Sequence, residues 1–522
     1  MHYPTTVKML THSKTLAVSL NGTAVDAFWA GTSYLLTCAV CQPFIAALSD
    51  IFGRQELLLP SVILFTVGSI VCGFSNDMAT MLVGRCIQGI GGGGVIALTQ
   101  VIFADIVPLR QRPKYFSLVL AAWALGTVLG PLLGGVFVQK ASWKWVFWIN
   151  LPFCGVGLVM VSAFVRLSTE KTSLKSKLLR VDWLGGFLFV GSMVTFLVGL
   201  SWGGVQYPWT SYHTLVPLII GPCGIIVSLL WEYYGAREPF LRHTLFQEHS
   251  AIAAYLVALI QGLVVSLPST IHPQHRVLTP FQLFCALYYL PLYFMAPEEY
   301  TPIAAGCALF AMSCLLLPGS AIVSLLITRL GRFRWAIWSG WAIATVGAGL
   351  FVLIKVHVPK GVWIAACMVF GLGQGMILSS INFAIQAIVR PEDAGRGAAM
   401  YSFMRTLGMA IGVAVGGAVF TNTMSAGLSD HNLPTQIAQD AVGYIPSLKA
   451  TLAADPSKLP VAEAYVRGVK GVFIMLTAVS ALALLLSLCI KKFDMDKILE
   501  SKYTLETKPE KKKEEGVKQE RK

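Results

Sequence analysis

The sequence predicts an all-α polytopic membrane protein of about thirteen spans. Three observations predict it. Of 522 residues, 55% are hydrophobic and 13% are charged, against about 25% charged in an ordinary soluble domain. Apolar runs of roughly the 20 residues needed to cross a bilayer recur along the chain. The Lys and Arg residues collect in alternate short loops between those runs, as cytoplasmic loops do. The 48 glycines and 13 tryptophans agree with a membrane setting, since both are enriched in spans or at their interfaces.

The runs follow in order at 27–48, 57–75, 79–103, 114–138, 145–165, 182–203, 213–235, 303–328, 335–356, 361–388, 396–424 and 468–490. Two further apolar pieces, 250–265 and 283–296, flank a polar, proline-rich stretch and together make one interrupted span. Arg54, the Arg110–Lys114 cluster, the basic run from Arg166 to Arg180, Arg237 and Arg242, Arg329 to Arg334, and Arg390 with Arg396 mark the cytoplasmic side. Loops at 75–78, 203–213 and 297–302 are poorer in Lys and Arg. This alternation places the C-terminus inside and the N-terminus outside. Residues 425–467, with four prolines, read as a long outer loop with short surface helices. The charged, aromatic-poor tail 491–522 reads as disordered.

Several function classes are excluded. The net charge of +14 sits in membrane-flanking loops and the tail, so no nucleic-acid partner is expected. Most cysteines, such as Cys38, Cys72 and Cys367, lie inside apolar runs and read as small buried hydrophobes. Residues 1–20 lack the compact apolar core of a cleavable signal. The Gly91–Gly94 run lacks the Lys-Ser/Thr of a phosphate-binding loop. No catalytic triad or metal-ligand spacing stands out, so neither an enzyme nor a cofactor or metal is expected. Asn21-Gly22-Thr23 is a glycosylation sequon, relevant only if that segment reaches the lumen.

Four segments carry mechanism. In Ala46-Ala47-Leu48-Ser49-Asp50-Ile51-Phe52-Gly53-Arg54, Asp50 and Arg54 can latch neighbouring helices, and Gly53 permits the turn. In Arg85-Cys86-Ile87-Gln88-Gly89, an arginine stands inside an apolar run, at a cost of roughly 2.5–3.5 kcal/mol on insertion scales. It faces a cavity or partner, or else snorkels to the outer interface. In Gly126-Thr127-Val128-Leu129-Gly130-Pro131-Leu132-Leu133-Gly134-Gly135, small residues allow close helix approach and Pro131 permits a bend. Ser142-Trp143-Lys144-Trp145-Val146-Phe147-Trp148-Ile149-Asn150-Leu151-Pro152 also reads as an interface belt.

In order, these four resemble motifs of the major facilitator superfamily, and the chain from about 24 to 490 resembles fungal fourteen-span drug:proton antiporters. The resemblance implies two six-helix halves plus two extra central helices. It implies a proton-coupled exporter of small, mostly apolar organic molecules, with Arg85 and Gln88 in proton coupling. Asp50, Gly53 and Arg54 would form the cytoplasmic gate, and Gly126, Gly130, Pro131, Gly134 and Gly135 the antiporter motif. Uptake or siderophore transport on the same fold, or a non-transporting paralogue, are the alternatives. A monomer in the plasma membrane, rather than the vacuole, is expected. Gln374, Asn382 and Gln386 on one helix, with Tyr289 and Tyr293, are candidates for the substrate path.

The chain departs from that family in two places. Residues 1–23 hold only a remnant of a first helix, without its acidic motif, so 24–165 carries five helices, 182–235 the two extra ones and 249–490 the second half. The stretch 265–282 interrupts a helix and reads as a retained intron. Val265-Ser266 can be encoded by a donor-like sequence, Leu278-Thr279 by a branch-like site and Gln282 by CAG. Its other reading is a re-entrant loop in which His272 and His275 sense protons.

Overall fold

The computed structural model describes residues 20, 24–122, 126, 133, 137, 142–165, 173–203, 206–236, 238–262, 283–451, 455 and 457–497. Helices dominate them. We label α1 Ala24–Phe52, α2 Arg54–Phe74, α3 Met78–Ile106, α4 112–122 and α5 Trp145–Phe164. There follow α6 Trp183–Trp202, α7 Tyr212–Tyr234, α8 His249–Gly262 and α9 Leu283–Met295. Last come α10 Ala304–Leu330, α11 Arg334–Val352, α12 Lys360–Ile388, α13 Ala394–Asp430 and α14 Lys458–Leu488. Among the described residues, eleven helices are long and apolar enough to cross a membrane. The expected run at 114–138 is described only to 122 and at 126, 133 and 137, and the interrupted span appears as α8 and α9. Asn21 and the stretch 265–282, with His272 and His275, lie outside the described residues.

Local chemistry sets the helix starts. Asp77 caps α3 by accepting from the Thr80 backbone N–H at 2.7 Å and from its hydroxyl at 2.8 Å. Those bonds hold its carboxyl below the ordinary range. Asp182 caps α6 through the Gly185 N–H at 2.9 Å, and Thr301 caps the helix that leads into α10. Within the apolar helices, hydroxyls return to their own backbone, as Thr37 does to Ser33 O at 2.8 Å.

The α1–α5 group packs α1 and α2 on α3, and α5 on α2. The Gly91–Gly94 run makes the first of these contacts possible: a Cβ on Gly93 would strike the Cys38 carbonyl, and one on Gly91 the backbone of Phe65. The α8–α14 group is built likewise on α12, with α10 and α11 against it and α14 against α11 and α13. Helix α13 lies across both groups, touching α1 and α3 as well as α8. Helices α6 and α7 pair with each other and meet the bundle along α1 and α13.

Two boundaries differ from expectation. The stretch joining α13 to α14, expected as an outer loop at 425–467, is 431–457, because α13 continues to Asp430 and α14 begins at Lys458. Arg467 pairs with Asp430, so charges near these helix ends satisfy each other without leaving the helix. The short helix Ala441–Ala450 is tied down by Tyr465 donating to Ala441 O and by Lys449 donating to Tyr300 O at 2.6 Å. The tail also leaves the body later than residue 491. Residues 491–497 pack on the basic face with Met495 fully buried, since an apolar side chain so close to the bundle gains by covering it.

Candidate functional site: two buried charge networks

The first network lies where the basic loops converge. Helix α1 ends at Phe52 and the chain turns at Gly53, whose φ of 119° and ψ of 152° suit glycine alone. The turn swings Arg54 back into the bundle. Its Nη1 lies 2.5 Å from Asp50 Oδ1 and 2.6 Å from Ser49 Oγ, and its Nε lies 2.9 Å from Asp105 Oδ2. The other oxygen of Asp50 accepts from Arg396 Nε at 2.6 Å, and Arg396 Nη1 donates to Asp393 at 3.0 Å. Thr244 donates to Asp393 at 2.9 Å, with Arg242 at 3.8 Å from it. Charges alternate along the series Asp105, Arg54, Asp50, Arg396, Asp393, Arg242. Arg54 is 4% exposed, so its two carboxylates supply what water cannot.

This series joins the two helical groups, because Asp50 ends α1 while Arg396 begins α13. Links to neutral acceptors run beside it. Arg112 donates to Ala104 O at 2.6 Å, Val107 O at 2.7 Å and Gln386 Oε1 at 2.8 Å. Gln386 donates to Asn382 at 2.9 Å, and Asn382 to Gln100 of α3 at 3.1 Å. Two turns back from Asp50 on α1, Gln42 donates to Thr406 of α13 at 3.1 Å. Because all of these lie on or near one face, they hold the groups together at that end.

Gly53→Ala tests the turn. A Cβ at this φ is expected to cost about 1–3 kcal/mol and to lower the thermal midpoint of the detergent-purified protein. An unchanged midpoint would show that the turn is free to relax.

The second network surrounds Arg85, which is completely buried. Its Nε donates to Ala30 O of α1 at 2.7 Å and its Nη1 to Gln88 Oε1 at 2.5 Å. The guanidinium lies 4.6 Å from the centre of the Tyr34 ring. Gln88 donates to Ser69 of α2 at 2.8 Å. One cation thus binds three helices, and it points into the bundle rather than out to an interface.

Of the five residues expected on a substrate path, Gln374, Asn382 and Gln386 share α12, and Tyr289 and Tyr293 lie on α9. Asn382 and Gln386 belong to the seam with Gln100 and Arg112. Gln374 is fully buried two turns before Asn382 on α12. Tyr289 stacks on Phe420 at 5.4 Å, and the Tyr293 hydroxyl donates to Glu298 at 3.0 Å and Lys355 O at 3.2 Å, near the opposite face. Of the Gly-Pro motif, Gly126 is in a helix, while Gly130, Pro131, Gly134 and Gly135 lie outside the described residues. The sequence alone did not pair Asp105, Asp393 or Gln100 with these networks. Among the described residues no cluster of His, Cys, Asp and Glu could hold a metal ion.

A family model described as Major Facilitator Superfamily matches residues 9–413. The chain is 41% identical over 485 residues to a protein named MFS transporter L2 from Phoma sp., covering 92% of this chain and 78% of that one. It is 31% identical over 501 residues to a protein named MFS-type efflux pump LUC4 from Fusarium sp., covering 94% and 85%. In fold it resembles the proton:xylose symporter XylE, with a TM-score of 0.53, 12% identity and coverage of 94% and 96%.

Proposed function

Since the chain belongs to the major facilitator superfamily, we propose that it is a proton-driven exporter of small, mostly apolar organic molecules, acting in the plasma membrane. It is a multi-pass membrane transporter by membership of that family, and relatives carry the name efflux pump. The observation that carries the reading is the charged seam between helical groups, from Asp105 and Arg54 through Asp50 to Arg396.

In this reading the basic face is cytoplasmic and the structure is closed there. Transport rocks the α1–α5 group against the α8–α14 group, so a central site opens first to one side and then to the other. Asp50, Gly53 and Arg54 gate the cytoplasmic side. The small residues around Gly130-Pro131 form the bending interface that resembles the antiporter motif. Arg85 and Gln88 take the proton-coupling role. A buried cation that donates to Ala30 O and Gln88 Oε1 and lies over the Tyr34 ring favours negative charge nearby. A proton arriving or leaving close by would therefore alter how α1, α2 and α3 pack.

The test is accumulation of a panel of lipophilic dyes in cells stripped of their own exporters. Cells expressing the chain are expected to hold severalfold less dye, and a protonophore is expected to remove the difference. Equal accumulation with and without the chain, at confirmed surface expression, would sink the reading. Export that persists after the proton gradient collapses would sink the coupling.

A further inference from the structure

Gly53 and Gly331 are the two glycines with positive φ among the described residues, at 119° and 62°. Each stands between two long helices and is followed by an arginine: Gly53-Arg54 joins α1 to α2, and Gly331-Arg332 joins α10 to α11. The next helices, α3 and α12, end alike. Ile106-Val107-Pro108 leads to a 3-10 turn at Leu109–Gln111, and Ile388-Val389-Arg390-Pro391 to one at Pro391–Asp393. An arginine follows each turn or lies in it: Arg110 and Arg112 in one group, Arg396 in the other. The two groups therefore carry two copies of one unit.

The copies face each other unequally. Three residues before Gly53 stands Asp50, whose carboxylate receives Arg396 of the opposite group. Three residues before Gly331 stands Thr328, which has no carboxylate. Arg110 of the opposite group nevertheless reaches that place. Its Nε lies 3.3 Å from Thr328 O and its Nη2 3.4 Å from Arg329 O. The carboxylate arrives from elsewhere: both oxygens of Asp496, beyond the last helix, lie 2.7 Å from Arg110 Nη1.

The segment carrying Asp496 is seated. Ile490 and Met495 are 1% and 0% exposed. The Lys491 N–H donates to Ser250 Oγ at the start of α8 at 3.1 Å, and Lys497 Nζ to Val389 O after α12 at 2.8 Å. The Asp496 N–H donates to Asp494 at 3.0 Å, which shapes the turn that presents its carboxylate.

We propose that residues 490–497 are a strap completing the gate. Asp496 supplies in the second copy the carboxylate that Thr328 lacks, and clasps the α1–α5 group through Arg110. Both are positioning residues for alternating access, and releasing the strap shifts the protein towards opening on its basic face. The Arg110–Asp496 pair is 45% and 55% exposed, against 5% and 16% for Arg54–Asp50. Water screens it, so the strap biases the gate by about two- to fivefold rather than locking it.

The clasp rests on the transport reading only for what the gate does, and hydrogen exchange tests it without substrate or proton gradient. The full chain in nanodiscs is compared with Asp496→Ala, Arg110→Ala and the double variant, following the backbone amides around Gly53, 104–112 and 385–397. Each single variant is expected to exchange about two- to fivefold faster there, and the double variant no faster than either. A truncation after Lys497 is expected to match the full chain, and one after Ile490 to match Asp496→Ala. Exchange unchanged in both single variants overturns the proposal. So does a double variant in which the two effects simply add, because the residues would then act independently. Should the shorter truncation fail to fold, the point variants still decide.

Discussion

Arg85→Ala is expected to reduce gradient-driven export by about 10- to 100-fold while the protein still reaches the membrane. The magnitude follows from what the side chain does. Two charge-assisted hydrogen bonds, to Ala30 O at 2.7 Å and Gln88 Oε1 at 2.5 Å, leave with it. Hydrogen bonds to charged groups contribute about 1.5–3 kcal/mol each, each 1.4 kcal/mol is a factor of about ten, and a difference between the transport states equal to one such bond gives the expected range. Removing a buried cation also relieves a desolvation cost, so stability falls less than transport does. Arg85→Lys separates charge from shape. It keeps the cation but loses the planar fork that bonds across α1 and α3 and lies over the Tyr34 ring. Its export is expected to stay nearer Ala than wild type. Dye efflux driven by an imposed pH gradient in proteoliposomes measures both. Wild-type efflux in Arg85→Ala would remove the residue from the coupling path.

The fold was legible in the sequence because a span depends on composition over about 20 residues, which is a local property. The charged seam was half legible for the same reason. Asp50, Gly53 and Arg54 lie within five residues, so a helix end, a turn and an ion pair could be read from one string. Their partners could not: Asp105 is 51 residues from Arg54 and Arg396 is 346 from Asp50. Nothing in one sequence by itself links such positions. Asn382 and Gln386 show the converse. Polar residues on one face of an inner helix suit a substrate path and an interhelical seam equally well, and only the positions of Gln100 and Arg112 give them seam partners. The packing of 491–497 was not legible because Phe493 and Met495 are too few to register against a charged background.

Arg54→Ala is expected to open the basic face outright, and neutralising Asp105 as well is expected to close it again in part. Arg54 pairs with Asp105, whose side chain is 10% exposed, and shares Asp50 with Arg396. Taking it away breaks the direct ion pair of the buried Asp105 carboxylate, and removing one partner of a buried pair costs about 3–5 kcal/mol. Opening lets water reach that carboxylate, so the open state escapes most of the penalty. A differential of 3 kcal/mol is a shift of more than about 100-fold in the ratio of the two states. A cycle that depends on closing this face should then stall, and efflux should fall to background. Arg54→Ala with Asp105→Asn removes both members of the pair, and the desolvation penalty of the orphaned charge goes with them. Asp50 keeps Arg396 in every variant, so recovery reports on Asp105 alone. Spin labels at the exposed positions Gln111 and Glu392, one on each group, read the separation by pulsed EPR. The expected order of mean distance is wild type, then the double variant, then Arg54→Ala. A distance in Arg54→Ala equal to wild type, together with unimpaired efflux, would mean that the buried series holds the fold and does not gate transport.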